Sequence, residues 1–370
     1  MVRIIDFLRQ NPVEKLTELY NITAKQHSRY PNLYQFKYNQ ITSPMHEPIV
    51  QEARGIILDR DQDWKIIAYP YNKFFNHGEP NAPQVDLNSS MFYEKLDGSL
   101  CILYHYDNQW QVATSGTPDA GGNVNGLNMT FAELFWKVWD ELEYPLPDWP
   151  DAEKITFMFE LMTPFNKIVV QHKENDIKIH GARNIETLQE LKPINFDDLW
   201  SVVQIYPMGW PGCKVEELIA GLDTMNPIEQ EGYVVVDSNF NRVKMKCPQY
   251  VALHHIASSM STRRMLDIIR TNENEEFLAY FPEWKDLYRK VKDKYFSLLL
   301  ETNECYNQHK SIESHKDFAL QIKHLPICGA LFSMRRDHVK TFEEYYAEIP
   351  IRNLESLLHL KEENYGKEAE

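Results

Sequence analysis

Residues Lys95-Leu96-Asp97-Gly98-Ser99 place an amine, a carboxylate and a glycine within five positions, between MFYE and SLCILYHY. A lysine amine that has shed its proton is a nucleophile. Read alone, the same stretch also fits a hairpin whose Asp-Gly turn carries a solvated lysine. The surrounding residues decide between these readings.

Glu160 sits in ITFMFELM, a run that is otherwise almost wholly apolar. With period-two alternation it shares a face with Met158 and Met162, while Phe157, Phe159 and Leu161 point the other way. A carboxylate there must reach solvent or a polar partner, because burying it unpaired is costly. Glu231-Gly232 opens the strand GYVVVD, and the chain returns as RVKMK. Lys244 and Lys246 then project to one face, with Val243 and Met245 towards the core. Two ammonium groups beside an acid suit a phosphate pocket with a bound cation. An ordinary amphipathic surface strand carries the same Lys-x-Lys pattern.

Upstream, Arg54-Gly55 begins GIILD, and Lys73 stands in NKFFN after WKIIAYP. Glycine after the arginine admits close approach of a ligand or backbone. Phe74, Phe75 and Tyr38 read first as core residues and second as surfaces on which a base could stack. Cations gathered around Lys95 would disfavour its charged form and would neutralise charge building on phosphates during displacement. Asp97 and Glu231 oppose that activation unless a metal ion occupies them.

The elements that must hold these residues change character near residue 247. Before it, short β-rich runs dominate: 55–59, 64–70, 99–106, 110–115, 155–162, 167–172, 176–183, 232–237 and 242–246. Polar turns such as DRDQD and DSNFN separate several at hairpin spacing. Helical patterns occupy the first twenty residues and the stretches 127–143 and 195–204. After Pro248 apolar residues recur at three- and four-residue spacing. The expected architecture is an α+β domain over 1–247 with antiparallel sheets, then an all-helical domain over 248–370.

A net charge of −15 is awkward for a protein that grips nucleic acid, but the binding footprint is local. From Asn241 to Arg270 there are six Lys/Arg against one acid, Asp267. The five cysteines are widely spaced with no C-x-x-C pair, which argues against a disulfide framework or structural zinc and fits a reducing cytosol. No apolar run approaches membrane-spanning length, and the N-terminus reads as an amphipathic helix, not a signal peptide.

Lys-x-Asp-Gly, a strand glutamate, Glu-Gly and Lys-x-Lys, in that order, resemble the signature of covalent nucleotidyltransferases: DNA ligases, RNA ligases and mRNA capping enzymes. EARGIILD, KFFNHGEP and EGYVVV…KMK look specifically like the RNA ligase 1 family of T-even bacteriophages, over roughly residues 34 to 255. The resemblance implies an ATP-grasp-like nucleotidyltransferase domain followed by a helical RNA-recognition domain. It implies that Lys95 attacks the α-phosphate of ATP to form lysyl-AMP. Arg54, Lys73, Lys244 and Lys246 would hold phosphates, Glu160 the ribose hydroxyls, and Glu231 a magnesium ion or its waters. Tyr38 would contact the nucleotide, and Glu275, in the pair Glu275-Glu276, would contribute to metal binding.

The implied cofactors are ATP and Mg²⁺, and the implied partners are RNA 5′-phosphate and 3′-hydroxyl ends, by family analogy a cleaved tRNA. No membrane association or obligate protein partner is evident. The expected compartment is the cytoplasm, that of the host if the chain is phage-encoded. One departure stands out: where the phage enzyme carries lysines, this chain has Val112-Ala113-Thr114-Ser115-Gly116-Thr117. Three alternatives are a DNA ligase or capping-type enzyme, a metal-dependent nuclease using Glu94 and Asp97, and a non-catalytic RNA-binding protein. The nuclease leaves Arg54, Lys73 and the Lys244/Lys246 strand without a role.

Overall fold

Three β-sheets organise the first 250 residues. In the computed structural model the described residues are 2–360 except 41, 125–126, 167–169, 171, 208–213, 256–260, 272–277, 279–283 and 337–340. They divide into two compact units, Met1–Tyr250 and Val251–Glu370.

In the first sheet β1 (Ile22–Gln26), β2 (Leu33–Tyr38), β3 (Arg54–Asp59) and β4 (Lys65–Ala68) pair antiparallel in sequence order. Helices α1 (Arg3–Leu8), α2 (Glu14–Tyr20) and α3 (Pro48–Glu52) accompany it. Ile4, Leu16, Val50, Phe36 and Ile56 belong to one buried cluster.

The other strands of this unit are β5 (Phe75–Asn76), β6 (Met91–Lys95), β7 (Ser99–Tyr106), β8 (Gln109–Thr114), β9 (Ile155–Met162), β10 (Asp176–Asn184), β11 (Glu190–Leu191), β12 (Ile205–Pro207), β13 (Gly232–Val236) and β14 (Arg242–Lys246). The second sheet runs β11-β10-β9-β7-β8 and the third β12-β6-β13-β14-β5. Among the paired strands described, the expected antiparallel character holds except between β14 and β5, which pair parallel.

Helix α4 (Phe131–Glu141) starts at a capping box in which Thr130 and Glu133 exchange hydrogen bonds. Its Leu134, Phe135, Val138 and Trp139 join Phe157 and Phe159 of β9 in a core cluster. The helical pattern at 195–204 does not become a helix. Pro193–Phe196 makes a single 3₁₀ turn, after which the backbone turns to β10: Ile179 N–H donates to Ser201 O and Val203 N–H to Ile179 O. Phe196 and Trp200, four apart as on a helix, are buried in the same core. Their spacing was real, but tertiary pairing claimed the backbone. Helix α5 (Val215–Leu222) precedes β13. The strand expected over 167–172 lies largely outside the described residues, and Val170 and His172 carry no strand assignment.

Helix α6 (Pro248–His255) follows β14. The second unit contains α7 (Thr262–Arg270), α8 (Lys285–His309), α9 (His315–Ile322), α10 (Cys328–Arg336), α11 (Phe342–Glu348) and α12 (Ile351–Leu357). Its described residues include no strand. Leu266, Tyr295, Phe318, Tyr346 and Leu354 are buried there. No described helix is long and apolar enough to cross a membrane.

Candidate active site

Lys95 ends β6, and the next strand lies in a different sheet. Strand β6 pairs with β12 and β13, whereas β7 pairs with β8 and β9. Asp97-Gly98 is therefore a crossing between sheets, not a hairpin turn. The crossing is tight: a Cβ on Gly98 would lie 2.4 Å from Leu161 O of β9. Only glycine lets the chain pass so close.

Directly across from Lys95 in the ladder is Gly232 of β13, and the residue before it is Glu231. Lys95 Nζ donates to Glu231 Oε2 at 2.6 Å, and Lys246 Nζ lies 3.0 Å from Glu231 Oε1. One carboxylate, only 3% exposed, thus bridges two lysines. Burial pushes the Glu231 carboxyl up, but Lys95 and Lys246 outweigh it and hold the group below the ordinary carboxylate range. Gly232 has φ +145°, and a Cβ there would lie 2.2 Å from Met245 O. The Glu-Gly pair combines a bridging acid with the only residue that fits after it.

The loop after Lys95 is strapped from two directions. Asp97 accepts from Val170 N–H at 2.7 Å and from the Tyr250 hydroxyl at 3.2 Å. His172 Nε2 donates to Asp97 O at 2.5 Å, and Asn166 Nδ2 donates to Ser99 Oγ and Leu161 O. Asp97 is a framing group here. His172, Asn166 and Tyr250 gave no sign of this in the sequence, because the partners they hold in the loop after Lys95 are 67 to 153 residues distant.

Glu160 lies on β9 opposite Leu100 of β7 and Lys178 of β10, flanked by the buried Met158 and Met162 as expected. Burial pushes its carboxyl up to about 7, with Glu231 and Asp97 acting in the same direction and Lys95 and Arg54 against. These opposing influences bring Lys95, Arg54, Glu231 and Asp97 into one electrostatic neighbourhood. Glu160 Oε2 is 3.6 Å from His180 Nε2.

Arg54 opens β3 with its guanidinium 4.9 Å from the Phe74 ring centre, and its Nη1 is buried with no hydrogen-bond partner. A guanidinium nitrogen left in that condition fits an anion that completes it. Lys244 Nζ at 5.7 Å and the Arg242 guanidinium at 5.8 Å also face Phe74, so this half-buried ring is approached by three cations. Phe75 is buried as expected of a core residue. Lys73 Nζ lies 5.5 Å from the rings of both Tyr38 and Phe75. Tyr38 is 7% exposed and packs with the N-terminal core, the first of its two readings.

A buried polar network escaped the sequence reading. Arg242 bonds Glu190, Glu190 also bonds Arg183, and the Arg242 guanidinium lies 4.0 Å from the Tyr71 ring centre. Period two did point to Arg242, which precedes Lys244 and Lys246 at the same spacing. The sequence could not give its partner.

Positive charge beside Ser115 and Gly116 comes from another strand. Lys37 Nζ of β2 lies 3.3 Å from where a Cβ on Gly116 would stand. The basic segment at 241–270 is less free than its composition implies. Arg242 is committed to Glu190, Arg263 bonds Glu355, Arg264 lies near Asp267, and Arg270 bonds Asp267 and the Ile349 carbonyl. Glu275 lies outside the described residues, and no group of three metal-ligating side chains occurs among the described ones. Glu231 is the carboxylate hydrogen-bonded to Lys95. Both its oxygens are held by ammonium groups, so an ion would share it with phosphates, as magnesium commonly does.

The family model described as RNA ligase matches residues 52–250. The chain belongs to the RNA ligase family. The matched segment contains Arg54, Lys73, Lys95, Glu160, Glu231, Lys244 and Lys246, hence nearly the whole constellation. The RNA ligase of Rhodothermus phage RM378 is 26% identical, covering 71% of this chain and 73% of its own. A protein of Autographa californica nuclear polyhedrosis virus, named for polynucleotide kinase and RNA ligase activities, is 25% identical over 79% of this chain. The match spans 44% of that protein's length. Among solved structures, an archaeal ATP-dependent RNA ligase is similar with a TM-score of 0.45 and 12% identity, over 75% of this chain and 74% of that one. This member of the family is an enzyme of the ligase class, with an α+β unit of largely antiparallel sheets preceding a helical one.

Proposed function

We propose that this ligase uses ATP to join RNA 5′-phosphate and 3′-hydroxyl ends through Lys95. The observation that carries the reading is the Lys95–Glu231–Lys246 bridge at the meeting of β6, β13 and β14. Lys95 Nζ attacks the α-phosphorus, the N–P bond forms, and the bond to pyrophosphate breaks. An oxygen of the RNA 5′-phosphate then attacks the same phosphorus and frees Lys95. Finally the 3′-hydroxyl attacks the activated 5′-phosphate and AMP leaves.

An ammonium has no lone pair, so Lys95 must leave its ion pair and lose a proton before the first step. Nucleotide phosphates entering among Arg54, Lys73, Lys244 and Lys246 give those cations new partners and loosen the hold of Lys246 on Glu231. Glu160 takes the ribose hydroxyls, and Tyr38 contributes a nucleotide contact through its packing beneath Lys73. Magnesium, when bound, would neutralise phosphate charge beside Glu231 and, as the resemblance implies, Glu275. The proposed division is a nucleotidyltransferase domain over 1–247 and a helical RNA-recognition domain over 248–370, acting on a nicked RNA such as a cleaved tRNA.

The test is incubation with α-³²P-labelled ATP and Mg²⁺ followed by denaturing electrophoresis. Label retained on the wild-type protein and lost in Lys95→Ala supports the reading. A protein that never takes label yet cleaves RNA is the metal-dependent nuclease instead.

A further inference from the structure

Strand β10 carries an extra residue opposite β9. Lys178 pairs with Glu160 and Ile179 with Phe159, but Gly181 pairs with Met158, so His180 is left over as a bulge. Bulges re-aim a side chain, and they cluster beside active sites. Here the bulge brings the imidazole to Glu160, with His180 Nε2 3.6 Å from Glu160 Oε2.

The surroundings fix how that imidazole is held. Tyr71 packs on it, ring centres 5.5 Å apart and planes 29° apart. The Tyr71 hydroxyl donates its single proton to His180 O at 2.7 Å, and His180 Nδ1 lies 3.3 Å from the Tyr71 hydroxyl oxygen. Gly181 is what permits this: a Cβ there would stand 1.8 Å from the Tyr71 hydroxyl oxygen. Tyr71 is in turn packed by Arg242, which Glu190 holds. Burial, together with Arg54 and Arg242 and against a hydrogen bond to the Phe159 backbone, holds the imidazole down to about 3, so the ring is neutral and carries one N–H.

With the Tyr71 proton spent on the carbonyl, only an Nδ1–H makes the Nδ1 contact favourable. The remaining nitrogen, Nε2, then presents a lone pair, and it is a buried atom with no hydrogen-bond partner. A lone pair facing a carboxylate repels it, whereas a carboxylic acid satisfies it. Burial pushes Glu160 up to about 7, which makes the acid form accessible at neutral pH.

We propose that His180 is a positioning residue for Glu160: its Nε2 accepts the carboxyl proton and fixes the carbonyl oxygen towards the nucleotide pocket. The proposal rests on the reading of Glu160 as the ribose contact. A neutral Glu160 accepts a ribose hydroxyl without adding negative charge near the triphosphate. The bulge, Gly181, Tyr71 and the Arg242–Glu190 pair together form the mount for this one contact.

The experiment measures KM for ATP and kcat of self-adenylylation in full-length protein, with thermal midpoints recorded for every variant. His180→Met keeps bulk and removes the acceptor. It should raise KM about tenfold, the scale of one lost hydrogen bond, with kcat within about twofold. His180→Gln, which restores an acceptor at that depth, should stay within about threefold of wild type. Glu160→Gln donates an amide N–H to Nε2 and still presents a carbonyl, so it should raise KM less than Glu160→Ala does.

In the Glu160→Ala background, His180→Met should add nothing, because the contact it serves is gone. An equal penalty in both backgrounds, or Glu160→Gln behaving as Glu160→Ala, overturns the proposal. So does a His180→Met variant with unchanged KM. Absence of label on the wild-type protein would instead overturn the proposed lysyl-AMP reaction itself.

Discussion

Lys95 Nζ and Glu231 Oε2 are 2.6 Å apart, and the same carboxylate holds Lys246. Lys95 is thus half of a part-buried ion pair whose other half answers to two lysines. Removing Glu231 leaves two ammonium groups without their acid. Glu231→Gln should lower unfolding free energy at pH 7 by roughly 3 kcal/mol, the usual cost of breaking a buried pair. Because the folded-state pKa of Glu231 is depressed, its contribution is present above the unfolded value and is lost as pH falls through the folded one. Urea titrations should therefore show the gap between wild type and variant closing in acid. A gap that persists or widens there would falsify the assignment of this stability to the ionised pair.

Lys95 serves only as the AMP carrier in the proposed reaction. Lys95→Ala should take up no labelled AMP, yet still join RNA supplied with a 5′-adenylyl group, at a reduced rate. Uptake of label by this variant would place the nucleophile elsewhere.

Glu160 gives a pH dependence of the opposite sign to Glu231. Its folded value, about 7 against an ordinary 4.5, means the native state binds the extra proton. Stability from this group is complete below the unfolded value and falls as pH rises to about 7. The groups facing it are Lys95, Arg54, Glu231, Asp97 and His180, with Lys178 opposite in the ladder. Glu160→Gln, which cannot ionise, should be more stable than wild type at pH 8 by up to roughly 3 kcal/mol. At pH 4 the two should unfold together. Equal stability at both pH values would mean that Glu160 titrates in the folded protein as it does in the unfolded chain.

Gly232 and Gly98 are fixed by space. Gly232→Ala meets both a left-handed φ and the Met245 carbonyl, so a loss of roughly 3 kcal/mol or more is expected. Gly98→Ala keeps an ordinary φ but drives a methyl into Leu161 O. Its fold should survive better than its adenylylation rate, since the displaced segment carries Lys95. Comparing thermal midpoints with label uptake separates the two effects.

Arg270 binds Asp267 and the Ile349 carbonyl, tying α7 to the chain before α12. Arg270→Ala should lower the thermal midpoint by several degrees. Its effect on the salt slope of RNA binding should stay well below the ~0.7 expected for one lost phosphate contact. A full loss of that size would restore Arg270 as an RNA contact.

Local chemistry made much of this protein legible in its sequence. Alternation placed Glu160 between Met158 and Met162 and set Lys244 and Lys246 on one face, because side chains alternate along a strand whatever it pairs with. The glycine after Arg54 marked a place of close approach, and Ser115 Cα lies 3.3 Å from where a Cβ on Gly55 would stand. The change to three- and four-residue apolar spacing marked helices from Pro248 onward. What the tertiary structure decided was partnership. A turn-like Asp-Gly became a crossing between sheets, and a helical pattern at 195–204 gave its backbone to β10. Lys37 came to stand beside Gly116, and His180 was turned by a bulge onto Glu160. Each depends on hydrogen bonds or contacts between residues distant in sequence, and a side chain's type fixes what it can bond but not which of many equivalent partners the fold will bring within reach.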